Sequence, residues 1–114
     1  MAAKIFVIDD ERLILTAVER ALTEEGYVIS KAQNMNELDE ALRDAPFDLL
    51  ITDVYMRGTS VDEIISRVRE TSPAVKIIRM SGAINTDGSL DFIEKPFSIY
   101  ALRKKVKDIL NEPS

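Results

Sequence analysis

Three acidic residues hold most of the chemistry this sequence could perform. Asp53 follows the apolar run Leu49, Leu50 and Ile51, and Asp9 and Asp10 follow a second apolar run in KIFVIDDE, residues 4 to 11. Runs of this length and β-branched content read as strands buried on both faces. Each therefore delivers its carboxylates beyond a strand's carboxyl end, where open parallel sheets keep their sites. If the two strands are parallel neighbours, the three carboxylates converge. Like charges a few ångströms apart repel strongly, so either some are protonated or a cation lies among them. The chain contains no His and no Cys, and an all-oxygen cluster suits a hard ion, Mg²⁺ first.

The elements that must position these groups alternate along the chain. After Asp9 and Asp10, the residues Leu13, Ile14, Ala17, Val18, Ala21 and Leu22 recur at helical spacing, with Gly26 as the stop. YVISKA, from Tyr27, reads as a short strand. Asn34 is placed to cap a second helix with Met35, Leu38, Ala41 and Leu42 on one face, closed before Pro46. Beyond Asp53, a third helix carries Val61, Ile64, Ile65 and Val68 and ends near Ser72 and Pro73. A fourth strand, VKIIRMS, leads to Ser81, and a fifth, LDFIEKP, to Lys95. Ser98 is placed to cap a last helix whose predicted buried stripe is Ile99, Leu102, Val106, Ile109 and Leu110. Strand and helix alternating in this way predict a parallel sheet covered by helices on both faces.

One link breaks the rhythm. Between Ser81 and Leu90 stand only the eight residues GAINTDGS. Extended, they cover about 26 Å at roughly 3.3 Å each, enough to return along a strand, whereas a helical crossover generally takes a dozen residues or more. The helix between the fourth and fifth strands is therefore expected to be missing or reduced to a turn.

Composition narrows the function classes. A chain of 114 residues, 46% apolar and 31% charged, is predicted to form one soluble domain over residues 1–114. Without cysteine there is no thiol or zinc-thiolate chemistry. No apolar stretch reaches the roughly 20 residues that span a bilayer, and the start lacks the layout of a signal peptide, so a cytoplasmic location is the default expectation. The net charge of -5 argues against direct binding of nucleic acid, whose phosphates are held by clustered Lys and Arg.

Taken together, the acidic pair after the first strand (Asp9, Asp10), the Asp after the third (Asp53), the hydroxyl after the fourth (Ser81) and Lys-Pro after the fifth (Lys95, Pro96) resemble the receiver domain of two-component response regulators. The resemblance covers nearly the whole length. It implies a flavodoxin-like, doubly wound sheet of five parallel strands in the order 2-1-3-4-5. Taken singly, each residue has a plainer reading. Asp53 could be a turn residue, Asp9 and Asp10 first-turn acids, Lys95 a solvated lysine, Ser81 a strand-end hydroxyl and Phe92 part of the core. Their joint occurrence, in order and each at a strand's end, is what points to chemistry.

The roles follow from that arrangement. A carboxylate, Asp53, can attack phosphorus to form an acyl phosphate when the charge gathering on the transferring group is neutralised. A Mg²⁺ ion held by Asp10 and Asp53, with Asp9 acting through water, would neutralise one side and the ammonium of Lys95 the other. Ser81 can donate a hydrogen bond to a further oxygen. The resemblance adds the backbone carbonyl of Tyr55 to the metal site. It also marks Phe92 as the aromatic whose inward turn accompanies movement of Ser81 toward the phosphate. The implied donor is a phosphohistidine on a histidine kinase or histidine phosphotransfer protein, with output to a downstream protein through protein contacts.

Two departures bear on this. The family's loop after the acceptor has proline at the position of Arg57 and glycine at that of Val61, while Gly58 is kept. The shortened crossover removes cover from a face on which the family commonly reads out phosphorylation. Arg79, mid-strand where a doubly covered sheet wants an apolar residue, fits a bared surface that a partner or a second copy could cover, or else an edge-exposed, snorkelling side chain. The competing functions are a constitutive adaptor with a vestigial acid site and a small Mg²⁺-dependent aspartyl-phosphate phosphatase. A flavin domain on the same fold would want hydroxyls and glycines where the chain has Asp9, Asp10 and Glu11.

Overall fold

A computed structural model describes residues 2–82 and 91–111. Five strands, β1 (Lys4–Ile8), β2 (Val28–Ala32), β3 (Leu49–Asp53), β4 (Lys76–Ser81) and β5 (Phe92–Glu94), pair in parallel in the order β2-β1-β3-β4-β5. Four α-helices lie among the described residues: α1 (Arg12–Thr23), α2 (Met35–Ala41), α3 (Val61–Thr71) and α4 (Ile99–Leu110). This is the parallel sheet that the alternation of strand and helix predicts, in the flavodoxin-like order that the family resemblance implies. The link from β4 to β5 spans residues 82–91. Of these, 83–90 lie outside the described residues, as does the expected loss or reduction of a helix there.

The sheet is buried on both faces because its strand residues alternate between two cores. Ile5, Val7, Leu49, Ile51, Ile78, Met80 and Ile93 pack with α1 and α4, whereas Phe6, Ile8, Leu50 and Ile77 pack with α2 and α3. β3 is central, and all of Leu49 to Asp53 is buried, which is why its sequence is a continuous apolar run rather than an alternating one.

Local chemistry sets the helix ends. Asn34, Ser60 and Ser98 each accept a hydrogen bond from the amide three residues on, at Glu37, Glu63 and Ala101, the N-cap geometry that satisfies an orphan donor. Asn34 and Ser98 are the predicted caps; Ser60 is additional. Gly26 ends the α1 connection at φ +93, a conformation that side-chain-bearing residues rarely adopt.

Two helix faces hold as predicted except near their first turns. Leu13 is 84% exposed and Ala17 is also exposed, while Leu15 is buried. The α1 stripe that meets the sheet is Leu15, Val18, Ala21 and Leu22, with Leu15 in place of the predicted Leu13 and Ala17. In α4 the buried residues are Leu102, Val106 and Ile109, and Ile99 is 54% exposed. Ile99 is the first helical residue, and the rim of the sheet offers it no surface to cover. Arg79 is half-exposed on β4 and pairs with Asp91 at 2.5 Å, so its guanidinium is neither buried nor unpaired.

These placements separate two leucine-sized positions by burial. Ile64→Ala, within the α3 core stripe, is expected to cost about 2–5 kcal/mol in urea unfolding. Leu13→Ala is expected to stay within about 0.5 kcal/mol of the parent protein.

Candidate functional site

Backbone hydrogen bonds beyond the regular ladder bring the strand tips to one rim. Asp9 N–H donates to the Ala32 carbonyl at 3.1 Å, Val54 N–H to the Met80 carbonyl at 3.1 Å, and Lys95 N–H to the Ser81 carbonyl at 2.7 Å. Asp9, Asp53, Ser81 and Lys95 therefore leave their strands on the same side of the sheet.

There the Lys95 ammonium meets three carboxylates: Asp9 at 2.7 Å, Glu11 at 3.3 Å and Asp53 at 3.5 Å. Asp9 is fully buried, and Asp53 nearly so. The second oxygen of each is also engaged: Glu11 N–H donates to Asp9 Oδ1 at 2.8 Å and Tyr55 N–H to Asp53 Oδ1 at 3.2 Å. Both amides lie two residues beyond the carboxylate they bind, so each loop curls back over its own acid. Asp53 is held from its backbone side as well, where the buried Thr52 hydroxyl donates to the Asp53 carbonyl at 3.0 Å.

The acidic groups fit a hard cation. Asp9, Asp10, Glu11 and Asp53 each offer a carboxylate oxygen, and these oxygens all lie within 4.8 Å of one another. A set of oxygen donors this compact, backed by one ammonium, is the ligand type that Mg²⁺ takes.

Burial is the largest influence on the Asp9 carboxyl and raises its pKa above the ordinary 3.8. Hydrogen bonds from Lys95 and from the Glu11 amide, with the Lys95 charge, pull it down without cancelling that rise, and the Asp53 charge adds to it. For Lys95 burial again has the largest influence, and it lowers the pKa. The hydrogen bond to Asp9, the charges of Asp9 and Asp53 and the contact with Glu11 together outweigh it, leaving the ammonium above 10.5.

The structure thus brings Asp9, Asp10, Asp53 and Lys95 together. Ser81 is buried at the tip of β4, tied to Lys95 through its carbonyl. Phe92 is half-buried on β5 opposite Arg79, and Glu94 pairs with Ser81. Side chains in register share a face, so Phe92 and Ser81 are diagonal neighbours on the α3 side of the sheet. Tyr55 is exposed in the loop after Asp53. Arg57 is exposed too, and Gly58 has φ +75, the one place in this loop that requires glycine. Sequence reasoning missed Glu11 as a partner of Lys95. Its only signal was adjacency to Asp9 and Asp10.

The profile of the response regulator receiver domain matches residues 5–107. The chain belongs to that family. Among characterised relatives, it is 34% identical to the DNA-binding transcriptional regulator NtrC of Azospirillum brasilense over 96% of this chain and 24% of the relative. With the transcriptional regulatory protein ResD of Bacillus subtilis the identity is 31%, over 97% of this chain and 49% of the relative. The receiver-domain chain thus spans between a quarter and a half of the length of these two relatives. Among solved structures, a response regulator from Thermotoga maritima superposes with TM-score 0.81 at 28% identity, covering 98% of this chain and all of the other. The beryllofluoride-activated NtrC4 receiver domain dimer gives 0.79 at 27% identity, with 97% and 98% covered. No helix among the described residues is long and apolar enough to cross a membrane.

The two shifts predict opposite pH arms of stability. A raised Asp9 pKa means that the folded state prefers the protonated acid, so the Asp9 contribution is lost as pH rises from 3.8 through the folded value. In metal-free buffer the unfolding free energy of the parent minus that of Asp9→Asn should fall as pH rises above 3.8 through the folded value; a constant difference would contradict it. The Lys95 contribution is intact below 10.5 and lost as pH rises through its higher folded value. Lys95→Met should lack that alkaline loss.

Proposed function

We propose that this receiver domain accepts a phosphoryl group on Asp53 from a phosphohistidine of a histidine kinase or histidine phosphotransfer protein. The observation that carries this reading is the Lys95 ammonium lying 3.5 Å from Asp53 and 2.7 Å from Asp9 on one rim of the sheet. An Asp53 oxygen attacks phosphorus, the P–N bond of the donor breaks, and the imidazole leaves with that electron pair and takes up a proton. Lys95 binds an oxygen of the transferring group, and Ser81 donates to another. Asp10, Asp53 and the Tyr55 carbonyl, with Asp9 through water, would hold Mg²⁺, which supplies charge neutralisation when bound. The domain is not an enzyme acting on a separate substrate; it assists its own phosphotransfer and dephosphorylation.

Output runs through protein contacts in a cytoplasmic setting, without direct contact to nucleic acid. Phe92, diagonal to Ser81, is the proposed switch that carries the change to the β5 edge. A downstream protein or a second copy of this chain reads it on the face beside the β4–β5 link. The dimer formed by the NtrC4 receiver domain supports the second-copy form.

Magnesium-dependent labelling with acetyl phosphate tests the reading. The parent protein should take up one phosphoryl group and Asp53→Asn none, and Lys95→Met should label roughly 100-fold more slowly. An unlabelled parent protein would favour a constitutive adaptor instead.

A further inference from the structure

An ammonium has three N–H donors, and in the resting domain three carboxylates surround that of Lys95: Asp9 at 2.7 Å, Glu11 at 3.3 Å and Asp53 at 3.5 Å. The contacts to Asp9 and Glu11 are hydrogen bonds, whereas Asp53 is an ion-pair neighbour. A phosphoryl oxygen on Asp53 that draws the ammonium toward it therefore competes with one of those two bonds. The two differ sharply in what their release costs. Asp9 has no exposed surface, so losing its cation would leave a buried charge unpaired. Asp53 is the acceptor, and the phosphoryl group arrives attached to it. The Glu11 side chain is 61% exposed, and water replaces its partner at little cost.

The backbone permits the exchange. Glu11 N–H is anchored on Asp9 Oδ1 at 2.8 Å, so the residue keeps its place when the side chain turns away. Although Glu11 stands at the N-cap position of α1, its side chain makes no capping hydrogen bond. The carboxylate is therefore free of any duty in starting the helix, and its described polar contact is Lys95.

We infer that Glu11 holds, in the resting domain, the Lys95 hydrogen bond that a phosphoryl oxygen takes on phosphorylation. Glu11 is a positioning residue that competes with the phosphoryl group for one ammonium. This rests on the phosphoacceptor reading of Asp53 and deepens it. Glu11 slows loading of the site by occupying Lys95, and reclaims the ammonium once the phosphoryl group is lost. Glu11→Gln keeps the length of the side chain and removes the competing charge.

The test uses Mg²⁺ with beryllofluoride as a stable phosphoryl mimic, titrated into the parent protein, Glu11→Gln and Glu40→Gln and followed by amide NMR shifts. Glu40 is an exposed acid of α2, so its variant controls for the loss of one charge. Glu11→Gln should bind beryllofluoride roughly two- to fivefold more tightly and label faster with acetyl phosphate by a similar factor, the range expected from removing one exposed ion pair. Glu40→Gln should match the parent. The ε-methylene resonance of Lys95 supplies a readout that a purely structural role would not produce. Glu11→Gln should shift it in the resting protein and leave it unchanged in the beryllofluoride-bound form, where Glu11 has already let go.

Equal or weaker beryllofluoride binding by Glu11→Gln, or an equal Lys95 shift in both states, overturns the inference while leaving the phosphoacceptor reading intact. A parent protein that neither binds beryllofluoride nor labels sinks both.

Discussion

The structure depends on one buried ion pair. Asp9 at the tip of β1 has no contact with solvent, and its cation comes from Lys95, 86 positions away in sequence, beyond the tip of β5. The two strands are not neighbours, since β3 and β4 stand between them. The pair therefore closes a bridge over the rim of the sheet, and every strand in between has to hold its register for the bridge to form. Removing one partner of such a pair typically costs about 3–5 kcal/mol, because the other charge is left buried and unpaired.

The same constraint explains why the site is acidic yet compact. Burial and the Asp53 charge push the Asp9 carboxyl toward protonation. The ammonium and two backbone amides, those of Glu11 and Tyr55, supply opposing positive charge and donors. Every described contact to Asp9 and Asp53 comes from a loop or strand tip, so the residues that react are displayed by the sheet while its apolar strands stay covered on both faces. This division of labour is general in open parallel sheets, where crevices form beyond the carboxyl ends of the strands.

Around this rim the helices are fixed from the other end. Arg103 of α4 donates to the Ala21 carbonyl at 3.0 Å and pairs with Glu24 at 2.9 Å near the C-terminal end of α1, where the helix dipole favours a cation. Together with the shared core of Leu15, Val18, Leu102 and Val106, this locks α1 to α4 on one face of the sheet. The first turns of both helices, with Leu13 and Ile99 exposed, stay at the rim of the site.

Much of this was legible in the residues themselves. Apolar runs ending in Asp9, Asp53, Ser81 and Lys95 specify strands and what each delivers, because a strand's period and burial are local properties of its sequence. The caps at Asn34 and Ser98 were legible for the same reason, since a capping side chain bonds an amide three residues away. Tertiary packing decided where along each helix the inward stripe begins. Leu13 and Ile99 fit a helical period as well as their neighbours do, but they fall in first turns that project past the sheet, and periodicity carries no information about where the sheet ends. It also decided the partners of Lys95. Charge alone names carboxylates as its partners; only the register of β1, β3, β4 and β5 sets Asp9 nearest, Glu11 next and Asp53 third, because distances between strand tips belong to the assembled sheet and to no single stretch of the chain.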